Sequence, residues 1–405
     1  MKKSVSRTSL IASGAIVTLA LAACGPGGPA PEKTPSLLGT LRVSMTDAPA
    51  CGYAAVNVTV TKVRVHLNPT AVDTDAGWTD ITLSPAKKID LLKLTNGTLE
   101  ALGQAELDPG RYTQLRLVLD ANTGNATRNS VVLAGTTAEL SLDTPSALQS
   151  GIKLGSQFDV VANQRVDLVL DFDACKSILT KGSGKYALKP VVKVVPAALN
   201  GISGFISTAL LGSNVMVTAQ QNGAIVSSTV PNATSGEFLL ARLAPGNYDV
   251  VVTADNRAAS VVAAVPVATS TSTTSLSTAV APLGMAASTQ RSVSGTVTLS
   301  PASAGEAAYV HAKQSFFNGP TVVVKYKGAD LVNGAYTIGN LPIAAPQYTL
   351  YSVARPLVFA SHLNTTPATG MVKVEASAEG YAAKSTAAVN LNKAAAVNVN
   401  FALVP

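Results

Sequence analysis

The sequence predicts an all-β, multidomain protein: antiparallel β-sandwich modules behind a signal peptide and a flexible tether. Three observations lead there. Apolar and polar residues alternate along short runs bounded by Gly, Pro, Asn and Asp, the pattern of half-buried strands joined by turns. No helical-period segments separate these runs in a βαβ rhythm. Charged residues make up 13% of the 405 residues and apolar ones 47%. The charged share is far below the usual quarter, so Ser, Thr, Asn, Gly and Ala must supply much of the surface.

The leader comes first. Met1-Lys2-Lys3 and Arg7 precede an apolar run from Leu10 to Ala22. A helix of that length spans about 20 Å, whereas a bilayer core of about 30 Å needs about 20 residues. A positive start, a short apolar core and small residues at its end fit a secretory signal peptide over residues 1–23. Leu21-Ala22-Ala23-Cys24 resembles the lipobox of bacterial lipoproteins. The resemblance implies cleavage before Cys24, diacylglycerol on its thiol, and an acyl chain such as palmitate on the new amino group. One chain holds a protein only marginally to a membrane, so several are needed. The alternative is ordinary cleavage nearby, which leaves Cys24 a free thiol. Gly25 rather than Asp follows the cysteine; by the same resemblance this implies the outer membrane in a Gram-negative host. Residues 24–37, opening Gly25-Pro26-Gly27-Gly28-Pro29-Ala30-Pro31, have little to bury and read as a tether.

Charge and cysteine content narrow the function. The formal charge is +7, which falls to +4 once Lys2, Lys3 and Arg7 are removed. The remaining positives are scattered, with no tract to follow a phosphate backbone, so nucleic acid is not an expected partner. Besides Cys24 the chain holds Cys51 and Cys175. An oxidising compartment favours their pairing, within the chain or between subunits. His66, His311 and His362 are far apart in sequence and form no ligand pair.

The first domain covers residues 38–197. Strands are expected at Gly39–Thr46, Val56–Leu67, Trp78–Leu83, Tyr112–Leu119, Ser130–Leu133, Ala138–Leu142, Phe158–Val161, Arg165–Phe172 and Leu188–Val195. The apolar phase changes between Val60 and Val63, as a bulge or a break between two short strands would produce. Ile89–Leu94 is a strand or one helical turn. Leu115, Leu117 and Leu119 point one way, Gln114, Arg116 and Val118 the other. The order of Thr46-Asp47-Ala48-Pro49, Trp78, Asp90-Leu91-Leu92, Gly110-Arg111-Tyr112, Gln149-Ser150-Gly151 and Asp171-Phe172-Asp173 resembles domain-of-unknown-function family 4382. The resemblance implies an exported β-sandwich and carries no activity. Asp47, Asp171 and Asp173 would offer oxygen ligands to calcium if the first and late strands were neighbours; otherwise Asp47 caps a turn and the other two flank a strand. Lys153, Arg116 and Arg165 would form a small basic face if they converged.

Composition changes after Pro196, where charge falls and Ala, Val, Ser and Thr dominate. Two further modules follow, at 198–288 and 289–405. Gly201–Ile206, Gly236-Glu237-Phe238 and Ala244-Pro245-Gly246-Asn247-Tyr248 recur in diverged form as Val293–Val297, Gly334-Ala335-Tyr336 and Pro346-Gln347-Tyr348. Both copies resemble the carboxypeptidase regulatory-like and prealbumin-like β-sandwich family. Similar sandwiches occur in carbohydrate-binding modules, which does not establish sugar binding. Tyr248, Tyr309, Tyr326, Tyr336 and Tyr348 would stack on sugars if exposed, but their alternating settings favour the core.

No nucleophile elbow, zinc-protease motif, phosphate loop or Cys–His arrangement stands in the sequence. No catalytic residue, cofactor or metal ligand is therefore assigned. The expected protein is a non-catalytic cell-envelope lipoprotein, structural or ligand-recognising. Its expected partners are the bilayer, through Cys24, and an envelope polysaccharide or protein. A carbohydrate-binding surface protein is one alternative. An envelope hydrolase with a site assembled from distant acids is another.

Overall fold

Alternation along the first strand decides where the core forms. In β1 (Gly39–Ala48) Leu41, Val43 and Met45 all reach 0% exposure on one face. The computed structural model describes residues 37–48, 52–124, 126–144, 151–303 and 305–405. The expected leader, the tether up to Ser36, Cys24, Cys51 and Gln149-Ser150 lie outside the described residues. Leu37–Pro405 is one unit, nearly all β, with three main hydrophobic cores.

The first sandwich continues through β2 (Tyr53–His66), β3 (Thr79–Asp90), β4 (Glu100–Leu107), β5 (Gly110–Tyr112), β6 (Gln114–Leu119), β7 (Ser130–Leu133) and β8 (Glu139–Asp143). It ends with β9 (Ile152–Leu154), β10 (Phe158–Val160), β11 (Arg165–Asp173), the short helix α1 (Ala174–Ser177), β12 (Ile178–Thr180), β13 (Tyr186–Leu188) and β14 (Val192–Pro196). One sheet has the order β14-β11-β1-β4, with β1 and β11 parallel. The larger sheet runs β12-β13-β8-β7-β2-β6-β9, with β3 also on β2. The expected bulge lies between Val60 and Lys62. Ile89–Leu94 divides: β3 ends at Asp90, whose carboxylate caps a 3₁₀ turn at Leu91–Lys93.

The second sandwich contains β15 (Gly201–Phe205), β16 (Met216–Gln221), β17 (Ala224–Thr229), β18 (Glu237–Ala241), β19 (Gly246–Thr253), β20 (Ser260–Val267) and β21 (Thr273–Ser275). The third contains β22 (Gln290–Leu299), β23 (Ala308–Phe316), β24 (Thr321–Gly328) and β25 (Ala335–Pro342), then β26 (Gln347–Leu350), β27 (Ala360–Ser361) and β28 (Thr365–Thr366). It closes with β29 (Met371–Ala378), β30 (Lys384–Asn390), β31 (Ala396–Asn398) and β32 (Phe401–Leu403).

The two modules repeat one topology. β15 pairs antiparallel with β18 and parallel with β21; β22 does the same with β25 and β31. β16 joins β17 and β19, as β23 joins β24 and β29. The closest repeat is a turn. Gly236 (φ 73°) and Gly334 (φ 68°) each donate from N to the residue four back, Asn232 or Asp330. A Cβ on either glycine would lie 2.2 or 2.1 Å from a carbonyl oxygen of the opposing strand, on Ile206 or Val297, so only glycine fits.

The expected equivalence of Tyr348 with Tyr248 is corrected. Tyr248 lies on β19, whose counterpart by pairing is β29. Tyr348 belongs to β26, inside an insertion between β25 and β29. That strand leaves its own module and adds in parallel to β20 of the second sandwich. The physical reason is that β20 would otherwise be an edge, with backbone groups needing partners.

Two Pro-Gly turns end in the same hydrogen bond. Tyr112 Oη donates to Asp108 O (3.2 Å) and Tyr248 Oη to Ala244 O (2.7 Å). Each phenol reaches the carbonyl four residues back and ties the turn to the core beneath it, a tyrosine corner. Tyr112→Phe and Tyr248→Phe are each expected to lower stability by about 1 kcal/mol, read as an earlier urea midpoint. Tyr351→Phe, whose hydroxyl makes no hydrogen bond among the described residues, should leave it unchanged.

Candidate functional site

The three aspartates weighed as calcium ligands sit at the end of the β1–β11 ladder. Thr46 faces Asp171, Asp47 faces Phe172 and Ala48 faces Asp173. The first and late strands are therefore neighbours, as a calcium site would require. No group of three or more metal-ligating side chains forms among the described residues, and the three carboxylates do not converge. Alternation gives the reason. Asp47 keeps the parity of Leu41, Val43 and Met45, while Asp171 and Asp173 lie on the opposite face. Asp47 Oδ1 accepts from Ala174 N (3.0 Å) at the start of α1. Asp173 caps the same helix through Lys176 N and pairs with Lys176 Nζ, both at 3.0 Å.

Asp171 faces the second sandwich. Burial pushes its carboxyl up to about 6, with Asp173 adding to the rise while Lys193, Arg242 and Lys176 oppose it. Around it, Lys193 Nζ donates to Val226 O (2.6 Å) and Asn96 Nδ2 to Val230 O (2.9 Å). Asn96 Oδ1 accepts from Thr229 Oγ1 and Leu239 N. This region is a part-buried polar junction between sandwiches.

The basic trio does not converge: Arg116 and Lys153 are cross-strand partners on β6 and β9, but Arg165 stands on β11 in the other sheet. Arg116, only 1% exposed, pairs with Asp73, donates to Ala71 O and Gln114 Oε1, and lies 4.4 Å from the Trp78 ring centre. Arg64 lies 4.7 Å from the same indole. His66 Nδ1 accepts from Asn68 N, which leaves Nε2 to donate to Ala76 O. The segment between β2 and β3 thus closes over β6 and buries the face that alternation alone assigns to solvent. Lys153 is exposed on β9, and Arg165 pairs with Asp167 in the other sheet.

The five tyrosines form no shared exposed platform. Tyr248 and Tyr336 are core residues at 1% and 4% exposure. Tyr309 Oη donates to Lys176 O (2.7 Å) between sandwiches. Tyr348 stacks on Phe316, their centroids 4.8 Å apart. Tyr326 lies 5.9 Å from His311, whose imidazole burial pulls down to about 4, Lys313 and Lys176 adding to the fall and Glu375 opposing it. Cys175 lies in α1 and is disulfide-bonded.

A feature the sequence did not disclose is a cavity of ≈ 360 Å³ reached by all three sandwiches: Gly52 and Ala134 from the first, Met216 and Asp255 from the second, Tyr326 and Asn340 from the third. Asp255 organises its polar end. Its carboxylate accepts from Asn214 Nδ2 (2.7 Å) and Asn340 Nδ2 (2.8 Å), and Lys325 Nζ lies 3.4 Å away. Burial pulls the Lys325 ammonium below its usual range, while Asp255 holds it up. These residues come from separate turns and strands, so no spacing in the sequence announces them.

Asp171 yields a pH test. Its carboxyl is raised in the fold, so the native state binds more protons than the unfolded chain between about pH 4 and pH 6. Stability therefore falls as pH rises through that window. Asp171→Asn removes the cost of ionisation. Its stability relative to the parent, from urea unfolding, should improve by about 2–3 kcal/mol between pH 4 and pH 7. A pH-independent difference would refute the assignment.

No curated protein matches the sequence. Among solved structures, the Bacillus anthracis TIE protein is 9% identical, covers 91% of this chain and has a TM-score of 0.17. The present chain spans about half of that protein, 51% of its length. The Corynebacterium diphtheriae major pilin SpaA is 13% identical, with 91% of this chain and 100% of that one covered and a TM-score of 0.20. BcpA, the major pilin subunit of Bacillus cereus, is 12% identical over 90% and 99%, with a TM-score of 0.14. Scores this low carry no inference about partners or assembly. Residues 38–190, nearly the whole first sandwich, match the family described as a domain of unknown function, DUF4382.

Proposed function

We propose that this protein is a non-catalytic cell-envelope lipoprotein, held to a bilayer by lipid on Cys24, whose β body has a structural or recognition role. The observation that carries the reading is Leu21-Ala22-Ala23-Cys24, followed by a Gly/Pro tether that leads into β1 at Gly39. The body supports it, because its sandwiches are tied to one another. Gln220 exchanges two hydrogen bonds with Val323, both 2.8 Å. Lys189 pairs with Glu306 at 2.7 Å, and Gly182 N donates to Asp330 at 2.8 Å. A body braced in this way presents its surfaces in a constant arrangement, which suits recognition of an envelope polysaccharide or protein. In a Gram-negative host Gly25 directs it to the outer membrane.

We also propose that Cys175 pairs with Cys51. Ala48 lies opposite Asp173 in the β1–β11 ladder, and the two cysteines follow these residues by three and two positions.

Intact-mass analysis of protein extracted from membranes is expected to show a chain that begins at an acylated Cys24. Cys24→Ser should move the protein from the membrane to the soluble fraction. An unmodified Cys24 thiol on protein free in the medium overturns the reading.

A further inference from the structure

We propose that the cavity shared by the three sandwiches binds a neutral saccharide of one or two pyranose units. This deepens the recognition reading above and is independent of the lipid on Cys24.

Charge decides the class first. Asp255 and Lys325 are the ionic groups of the lining, and they pair with each other. Two asparagine amides occupy the same carboxylate. A phosphate finds no uncommitted cation there, and a cation finds no uncommitted carboxylate. Removing an ion from water without a compensating partner is costly, so the site selects an uncharged ligand.

Hydrogen-bonding capacity decides next. Because a carboxylate can only accept, Asn214 and Asn340 turn their NH₂ groups to Asp255 and keep their carbonyl oxygens for other donors. Neither oxygen accepts a hydrogen bond among the described residues. Tyr326 lines the same cavity with its ring, while its Oη is shielded from it. Lys325 Nζ has further donor capacity. The set mixes acceptors with donors, and a sugar hydroxyl does both.

The remaining wall is apolar. Met216, Ile225, Val323 and Val324 line it and suit the C–H face of a pyranose ring. The volume, ≈ 360 Å³, lies near the lower end of small-molecule sites, which limits the ligand to a short glycan segment.

The test titrates the full mature protein in detergent with maltose, cellobiose and N,N′-diacetylchitobiose, followed by saturation-transfer NMR and calorimetry. Inorganic phosphate is the charged comparator. At least one disaccharide should bind saturably and phosphate should not. Asn214→Ala and Asn340→Ala should each weaken binding about tenfold, the loss of one ligand hydrogen bond. If either lowers the melting temperature, Ile225→Trp decides: it fills the cavity from its apolar wall, leaves the Asp255 cluster in place, and should abolish binding. Failure of all three disaccharides, binding unchanged in Ile225→Trp, or displacement by phosphate overturns the proposal. The intact mass of the same sample reports Cys24, so saccharide binding by unacylated protein would overturn the anchor alone.

Discussion

A carboxamide at 0% exposure must find both a donor and an acceptor, and Gln220 finds both on the backbone of one residue in another sandwich. Its side chain does what a neighbouring strand would do, satisfying Val323 N and O at once. Leaving those groups unpaired in a buried interface would cost more than the two bonds contribute. The same contact brings Val251 and Val261 of the second sandwich against Phe316 and Val322 of the third, with Tyr348 packed on them. The interface is therefore an apolar cluster with a polar lock, and the lock sets its register.

The insertion between β25 and β29 is the second half of this device. β26 adds to β20, so the second sandwich borrows a strand from the third. Tyr351, Leu357 and Phe359 follow and pack against the second core. The repeat thus encodes two sandwiches that cannot separate without exposing a sheet edge and this aromatic layer. In a chain with few charges, covering edges with its own strands is an effective protection against pairing with other molecules.

The shared cavity follows from the same arrangement. Three sandwiches that touch pairwise leave a gap between them, lined by strands and by two asparagines whose positions have a backbone reason. Asn214 and Asn340 have φ of 50° and 55°, a region asparagine tolerates better than most residues. Their amides then meet over Asp255. A backbone preference has thereby become a polar site.

Much of the fold was legible in the sequence. Strand alternation placed Leu41, Val43, Met45 and the β6 leucines in the core, and the phase change after Val60 marked its bulge, because both depend only on the two-residue period of a strand. Gly236 and Gly334 disclosed the repeat, since a left-handed turn pressed against a carbonyl accepts only glycine. Other features needed the tertiary structure. Arg116 reads as a solvated residue until the segment from Asn68 to Trp78 folds over it. Tyr348 reads as a copy of Tyr248 until a strand insertion carries it to another sheet. The Asp255 cluster joins residues far apart in sequence, and pairing across separate sandwiches leaves no spacing to read. Local backbone preference fixed the elements; long-range burial, which must satisfy every edge and polar group at once, decided which faces met.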